Sequence, residues 1–168
     1  MKPFRKYLWN ILALVFFSCQ GEASYDAPQK VSIEPALSDY EFIDIAGARH
    51  LLNDVKAENK LLIFYDPEGL QSQQQIAEMK KSTQLADLIK EERLRVVAIC
   101  PVGDLNDWNT YKNTIPAQWI NGFDIKGEAS KKEFFAIKSY PTLLLINENN
   151  ELLKRDADFQ SLLLALDK

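Results

Sequence analysis

The stretch Leu61-Leu62-Ile63-Phe64-Tyr65-Asp66-Pro67-Glu68-Gly69 decides how the rest of the chain is read. Successive strand side chains point to opposite faces of a sheet, so five apolar residues in a row leave no face for water. The run therefore predicts a strand buried on both sides. Asp66-Pro67-Glu68-Gly69 stops it with turn-forming residues. Everything after this break has to return to the strand and cover it.

Downstream, Ile76, Met79, Leu85, Leu88 and Ile89 recur at helical spacing, with the polar run Gln71–Gln75 in the first turns. Leu94-Arg95-Val96-Val97-Ala98-Ile99-Cys100 is a second buried strand, closed by Pro101. Asp104 stands as an N-cap before Leu105, Trp108 and Tyr111. Trp119-Ile120 predicts a short strand ended by Asn121-Gly122, and Glu128 to Ile137 a helix with Phe134, Phe135 and Ile137 inward. On that helix Glu128, Lys131, Lys132 and Glu133 form a solvated face. Pro141 to Asn147 is the next strand, and Asn149-Asn150 turns it into Glu151–Lys154 as an antiparallel hairpin. Phe159, Leu162, Leu163, Leu164 and Leu166 close the chain as an amphipathic helix.

Upstream, Phe42, Ile43 and Ile45 predict a short strand ended by Ala46-Gly47, followed by the apolar thread Leu51, Leu52 and Val55. Alternation of strands and helices followed by a hairpin predicts an α/β sandwich with a mixed sheet.

The first residues do not belong to that fold. Lys2, Arg5 and Lys6 precede an apolar stretch from Leu8 to Phe17, broken only by Asn10. Ten residues fall short of the roughly twenty that span a bilayer as a helix, so residues 1–18 read as a signal peptide. Phe16-Phe17-Ser18-Cys19 resembles a bacterial lipobox, with Phe16 where the usual pattern has Leu. The resemblance implies lipidation of Cys19 and a palmitate-type acyl anchor that tethers without spanning. An ordinary secretory signal ending at Ala23 is the alternative. Residues 19–39, with Pro28 and Pro35, then form the tether, and 40–168 the domain.

Composition narrows the function. Of 168 residues, 46% are hydrophobic and 26% charged, ordinary values for a globular chain. The formal charge of −4 becomes −7 once Lys2, Arg5 and Lys6 leave with the leader. An acidic domain is a poor partner for nucleic acid. Cys19 and Cys100 are the only cysteines and lie 81 residues apart, so no CxxC pair or zinc-ligand spacing can be written. His50 is the only histidine and reads as a surface or half-buried polar residue. No metal or cofactor is implied. Trp108 and Tyr111 fall three apart on a helix and read as packing rather than a ligand box.

The element order resembles the thioredoxin-like superfamily, in its TlpA/peroxiredoxin-like branch of membrane-tethered proteins of the Bacteroidetes type. The resemblance covers roughly residues 40–167. It rests on Leu61–Glu68, on Ser139-Tyr140-Pro141-Thr142, and on Asp104–Trp108 together with Trp119–Asp124. It implies a three-layer sandwich with a central mixed sheet flanked by helices, and a cis-proline loop at Tyr140–Pro141. It also implies an active-site loop after the first buried strand, where the family's two cysteines begin a helix. Such a position favours a thiolate through the helix dipole. Aligned on Phe64–Pro67, those positions are Gly69 and Ser72, and neither carries sulfur. Dithiol exchange is excluded at this loop. Ser72 or Glu68 then reads as the helix cap, and the free helix end as a place for an anion or a partner's carboxylate.

Two functions follow. One is a non-catalytic module in the cell envelope, periplasm-facing or on the surface. It binds a protein or peptide at Tyr140 and Pro141 and is attached to the membrane by its lipid anchor. The other is a weak thiol oxidoreductase or peroxidase relying on Cys100, which the parallel strands bring to the same sheet edge as Tyr65. A structural role inside a larger complex is a third reading.

Overall fold

The computed structural model describes residues 40–155 and 158–166; the leader, Cys19 and the tether lie outside the described residues. Seven strands form one mixed sheet in the order β2-β1-β5-β4-β3-β6-β7. They are β1 (Glu41–Asp44), β2 (Arg49–Leu51), β3 (Asn59–Phe64), β4 (Leu94–Cys100), β5 (Ile120–Phe123), β6 (Thr142–Asn147) and β7 (Leu152–Arg155). Strands β3, β4 and β5 are mutually parallel. β6 runs antiparallel to β3, β7 to β6, and β1 to both β2 and β5.

The two-residue period of a strand divides the central apolar runs between two cores. Leu61, Ile63, Val96, Ala98, Leu143 and Leu145 face one side. Leu62, Phe64, Val97, Ile99, Leu144 and Ile146 face the other. Each of these side chains is almost wholly removed from water, which stabilises the fold by about 1.5–3 kcal/mol for a side chain of Leu or Ile size.

The first face is covered by helices α1 (Leu70–Lys81), α2 (Thr83–Lys90), α3 (Leu105–Tyr111) and α4 (Phe159–Leu163). They contribute Ile76 and Met79, Leu85 and Leu88, Trp108, and Phe159, Leu162 and Leu163. The single helix expected over 70–90 is two helices. Ser82 is extended, with φ −74° and ψ 112°, and its side chain accepts the Leu85 N–H, so it ends one helix and caps the next. Asp104 caps α3 as expected, accepting from Asn106 N and Asp107 N at 2.7 and 2.9 Å.

The second face departs from expectation. The helix anticipated over 128–137 is a succession of turns. The buried Asp124 carboxylate takes the N–H groups of Glu128 and Ala129, and Ala136 sits at φ 43°, where no right-handed helix continues. Phe135 is nevertheless fully buried, packed 4.6 Å from Phe64 and 4.9 Å from Tyr40 between ring centroids.

β5 is also shifted. Asn121 and Gly122 lie inside the strand rather than ending it. The Phe42 ring lies against Gly122 so closely that a Cβ there would meet it at 2.4 Å. A glycine in a strand marks this kind of close approach.

Candidate functional site

The C-terminal ends of β3, β4 and β5 and the N-terminal end of β6 share one edge of the sheet, because β6 runs against the other three. The loops leaving that edge carry the sequence-derived site residues. Ligands of open α/β sheets commonly sit outside the carboxyl ends of parallel strands.

The loop after β3 is tightly built. Asp66 O accepts the Gly69 N–H at 3.1 Å, and Asp66 Oδ1 accepts the Glu68 N–H at 3.0 Å. Gly69 is the N-cap of α1 with φ −70° and ψ 119°, and it offers no side-chain cap. Ser72 is therefore the third helical residue. It does not cap the helix, and neither does Glu68. Buried completely, its Oγ accepts the Asp66 N–H at 3.1 Å and ties the helix start to the strand end. Gln73 Nε2 adds a bond to Pro67 O at 2.9 Å.

Tyr65, at the end of β3, anchors the region from below. Its hydroxyl donates to Asn121 Oδ1 at 3.0 Å and accepts from Trp108 Nε1 at 3.2 Å. Asn121 Nδ2 in turn donates to Lys112 O at 2.6 Å. Burial raises the Tyr65 phenol well above its ordinary value, so it stays neutral. Sequence reasoning missed this chain. Its members are far apart in sequence, and only the pairing of β4 with β5 brings Asn121 to Tyr65.

Cys100 lies beside Tyr65 in register, since Tyr65 N donates to Ile99 O across the β3–β4 ladder. The thiol is fully buried and donates to Val102 O at 3.3 Å. Burial pushes its pKa up to about 11, and the negative field of Asp66 adds to the effect. At neutral pH it is a thiol without access, the inert kind rather than the nucleophilic kind.

The Tyr140–Pro141 peptide bond is cis. Tyr140 and Pro141 are half-buried and Ser139 is exposed. The Tyr140 phenol is raised by burial and then by the field of Cys100 and Asp66, which places this loop against the other two. Among the described residues no hydrogen bond occupies the Tyr140 N–H or C=O.

A cavity of about 420 Å³ opens between the loops after β3 and β4, lined by Asp66, Pro67, Glu68, Val102, Asp107 and Tyr111, with Gly103 at its wall. Tyr111 Oη donates to Glu68 Oε1 at 3.0 Å, and that bond raises the Tyr111 phenol. Three carboxylates and no cation line the cavity, so the field beside the α1 N-terminus attracts positive charge. The anion expected there has no support from its surroundings. Around the same edge stand exposed apolar side chains: Leu70 after β3 at 67% exposure, Leu105 after β4 at 38%, and Ile125 after β5 at 43%.

His50 is half-buried, hydrogen-bonded to Asp44 and stacked on Phe42, away from this edge. No helix of the described residues is long and apolar enough to cross a membrane.

This edge, with a cis-proline loop facing a strand–turn–helix, is the architecture of the thioredoxin-like fold. No protein-family model and no curated protein matches the chain. Solved structures do. A thioredoxin-like protein from Bacteroides caccae is 31% identical over 76% of this chain, with a TM-score of 0.71. This chain spans only 46% of that structure's length. A protein of unknown function from Bacteroides fragilis is 22% identical with a TM-score of 0.72, over 77% of this chain and 95% of that one. A putative thiol:disulfide interchange protein DsbE from Chlorobium tepidum is 23% identical, with a TM-score of 0.62, covering 77% and 94%.

Proposed function

We propose that the chain is a thioredoxin-like lipoprotein of the cell envelope that binds a protein or peptide without exchanging disulfides. The observation that carries this reading is the makeup of one sheet edge. Gly69 and Ser72 stand where a dithiol would begin α1, while Leu70, Leu105 and Ile125 remain exposed at the edge where the Tyr140 N–H and C=O have no partner among the described residues. Exposed apolar side chains set among polar ones mark interaction surfaces, and an unpaired backbone segment can pair with an extended one. The carboxylates Asp66, Glu68 and Asp107 favour a segment carrying a basic side chain.

An array of extended peptides, with and without Lys or Arg, tests this. Binding should favour the basic apolar peptides and fall at least tenfold in Leu70→Asp, whose side chain is too exposed to matter for folding. Equal binding by the native chain and Leu70→Asp would remove the edge from consideration.

The alternative, oxidoreduction through Cys100, is disfavoured by a buried thiol whose pKa is raised. The anchor at Cys19 belongs to the proposal and rests on Ser18-Cys19 following the apolar leader. Labelled palmitate should enter the native chain and not Cys19→Ser; equal labelling of both would place the lipid elsewhere.

A further inference from the structure

A second cavity lies at the opposite edge of the sheet. Its volume is about 740 Å³, within the usual range for a small-molecule site. It opens where the β1–β2 hairpin leaves β5: Arg95 is the second residue of β4, Trp119 precedes and Ile120 begins β5, Ile45 follows β1, and Val55 precedes β3. These are the N-terminal ends of the parallel strands, so the cavity shares no lining residue with the Asp66–Tyr111 cavity.

Apolar and polar side chains share the walls, and the charge among them is unbalanced. Six formally charged side chains line the space: Arg95, Lys56, Lys80, Lys112, Asp44 and Asp54. Both carboxylates already serve the protein. Asp44 accepts from the Ala46 and Ala48 N–H groups and from His50, and Asp54 accepts from Leu51 N. The three lysines are each held by a main-chain carbonyl: Lys56 by Asn53, Lys80 by Thr114 and Lys112 by Ile45. The Arg95 guanidinium is half-buried and makes no hydrogen bond or ion pair among the described residues. An unpaired, half-buried arginine on the wall of a cavity that also carries Ile45, Val55, Trp119 and Ile120, with further cations around it, complements a carboxylate on an apolar body.

We propose that this cavity binds a small amphipathic carboxylate, with its head group paired to Arg95 and its hydrocarbon against Ile45, Val55, Trp119 and Ile120. The apolar wall selects for a chain and the guanidinium for the charge. The site is independent of the peptide edge, and either can stand without the other.

Octanoate, which stays monomeric in water, and its neutral counterpart octanol are the probes. Both are titrated calorimetrically into the full chain held in a neutral maltoside. Octanoate should bind more tightly than octanol. Arg95→Gln should weaken octanoate about tenfold and leave octanol unchanged, the loss expected for one charge-assisted pair. Arg95→Lys should retain affinity within about threefold. If Arg95→Gln loses its native circular dichroism, Lys112→Gln at the rim should still weaken octanoate alone. Absence of octanoate binding, or equal affinity of the native chain and the Gln variants, overturns the proposal.

Discussion

At Cys100 burial weighs against thiol chemistry and for the proposed binding role. The thiol sits at the right edge of the sheet for redox work, beside Tyr65 and near Asp66, yet it has no exposed surface. Its pKa rises from an ordinary 9.0 to about 11, so the folded state holds the proton more tightly than the unfolded chain does. That difference contributes stability fully present below pH 9, and it is lost as pH climbs through about 11. Cys100→Ala should therefore show a shallower loss of stability across that window in denaturant titrations. Iodoacetamide at pH 8 should leave native Cys100 unmodified and label it in denaturant; rapid native labelling would restore the thiol as a candidate. The sequence could place Cys100 at the strand end, but burial depends on what the loop at Val102 and the Tyr140 loop bring over it. Gly122 is a similar case. Its neighbour Asn121 suggested a turn, while the cause of the glycine is the Phe42 ring, 80 residues earlier in the chain.

Elements that were legible share one property: their burial is continuous or periodic within the segment itself. β3, β4 and β6 each hold a continuous apolar run of four or more residues, and each was readable to within a residue or two. β2 was not, because Arg49-His50-Leu51 is an edge strand with an exposed outer face and no pattern. The turns over 128–137 carry helical spacing at Phe134, Phe135 and Ile137. Here the Asp124 carboxylate competes for the amides that would start a helix, and that competition is tertiary. The break at Ser82 was written in the sequence as a capping residue, but apolar spacing ran through it. Ser82→Ala should cost about 0.5–2 kcal/mol by thermal or urea denaturation, the usual loss on removing a serine cap. No loss of stability would mean that packing of Leu85 and Leu88 alone sets the start of α2.

Over the whole molecule, the two edges of the sheet have opposite character. Among the described residues, the C-terminal edge presents carboxylates, exposed apolar side chains and an unpaired backbone segment; the N-terminal edge holds a lined cavity with an excess of cations. The thioredoxin-like fold was legible from element order because that order and the two anchor segments come together in few architectures. The function was less legible, since Gly69 and Ser72 say what the loop lacks and only the surrounding surface suggests what it retains. The geometry of a dithiol start persists: Gly69 caps α1, Ser72 is buried three residues on, and a Cβ at Gly69 would press on Asp66 at 3.2 Å, close enough for a small adjustment to accommodate it. The most direct measurement is dithiothreitol-driven reduction of insulin by the full chain beside its Gly69→Cys/Ser72→Cys variant. The native chain should match the rate of dithiothreitol alone, and the double variant should exceed it. A native rate above that background, abolished by Cys100→Ala, would contradict the account.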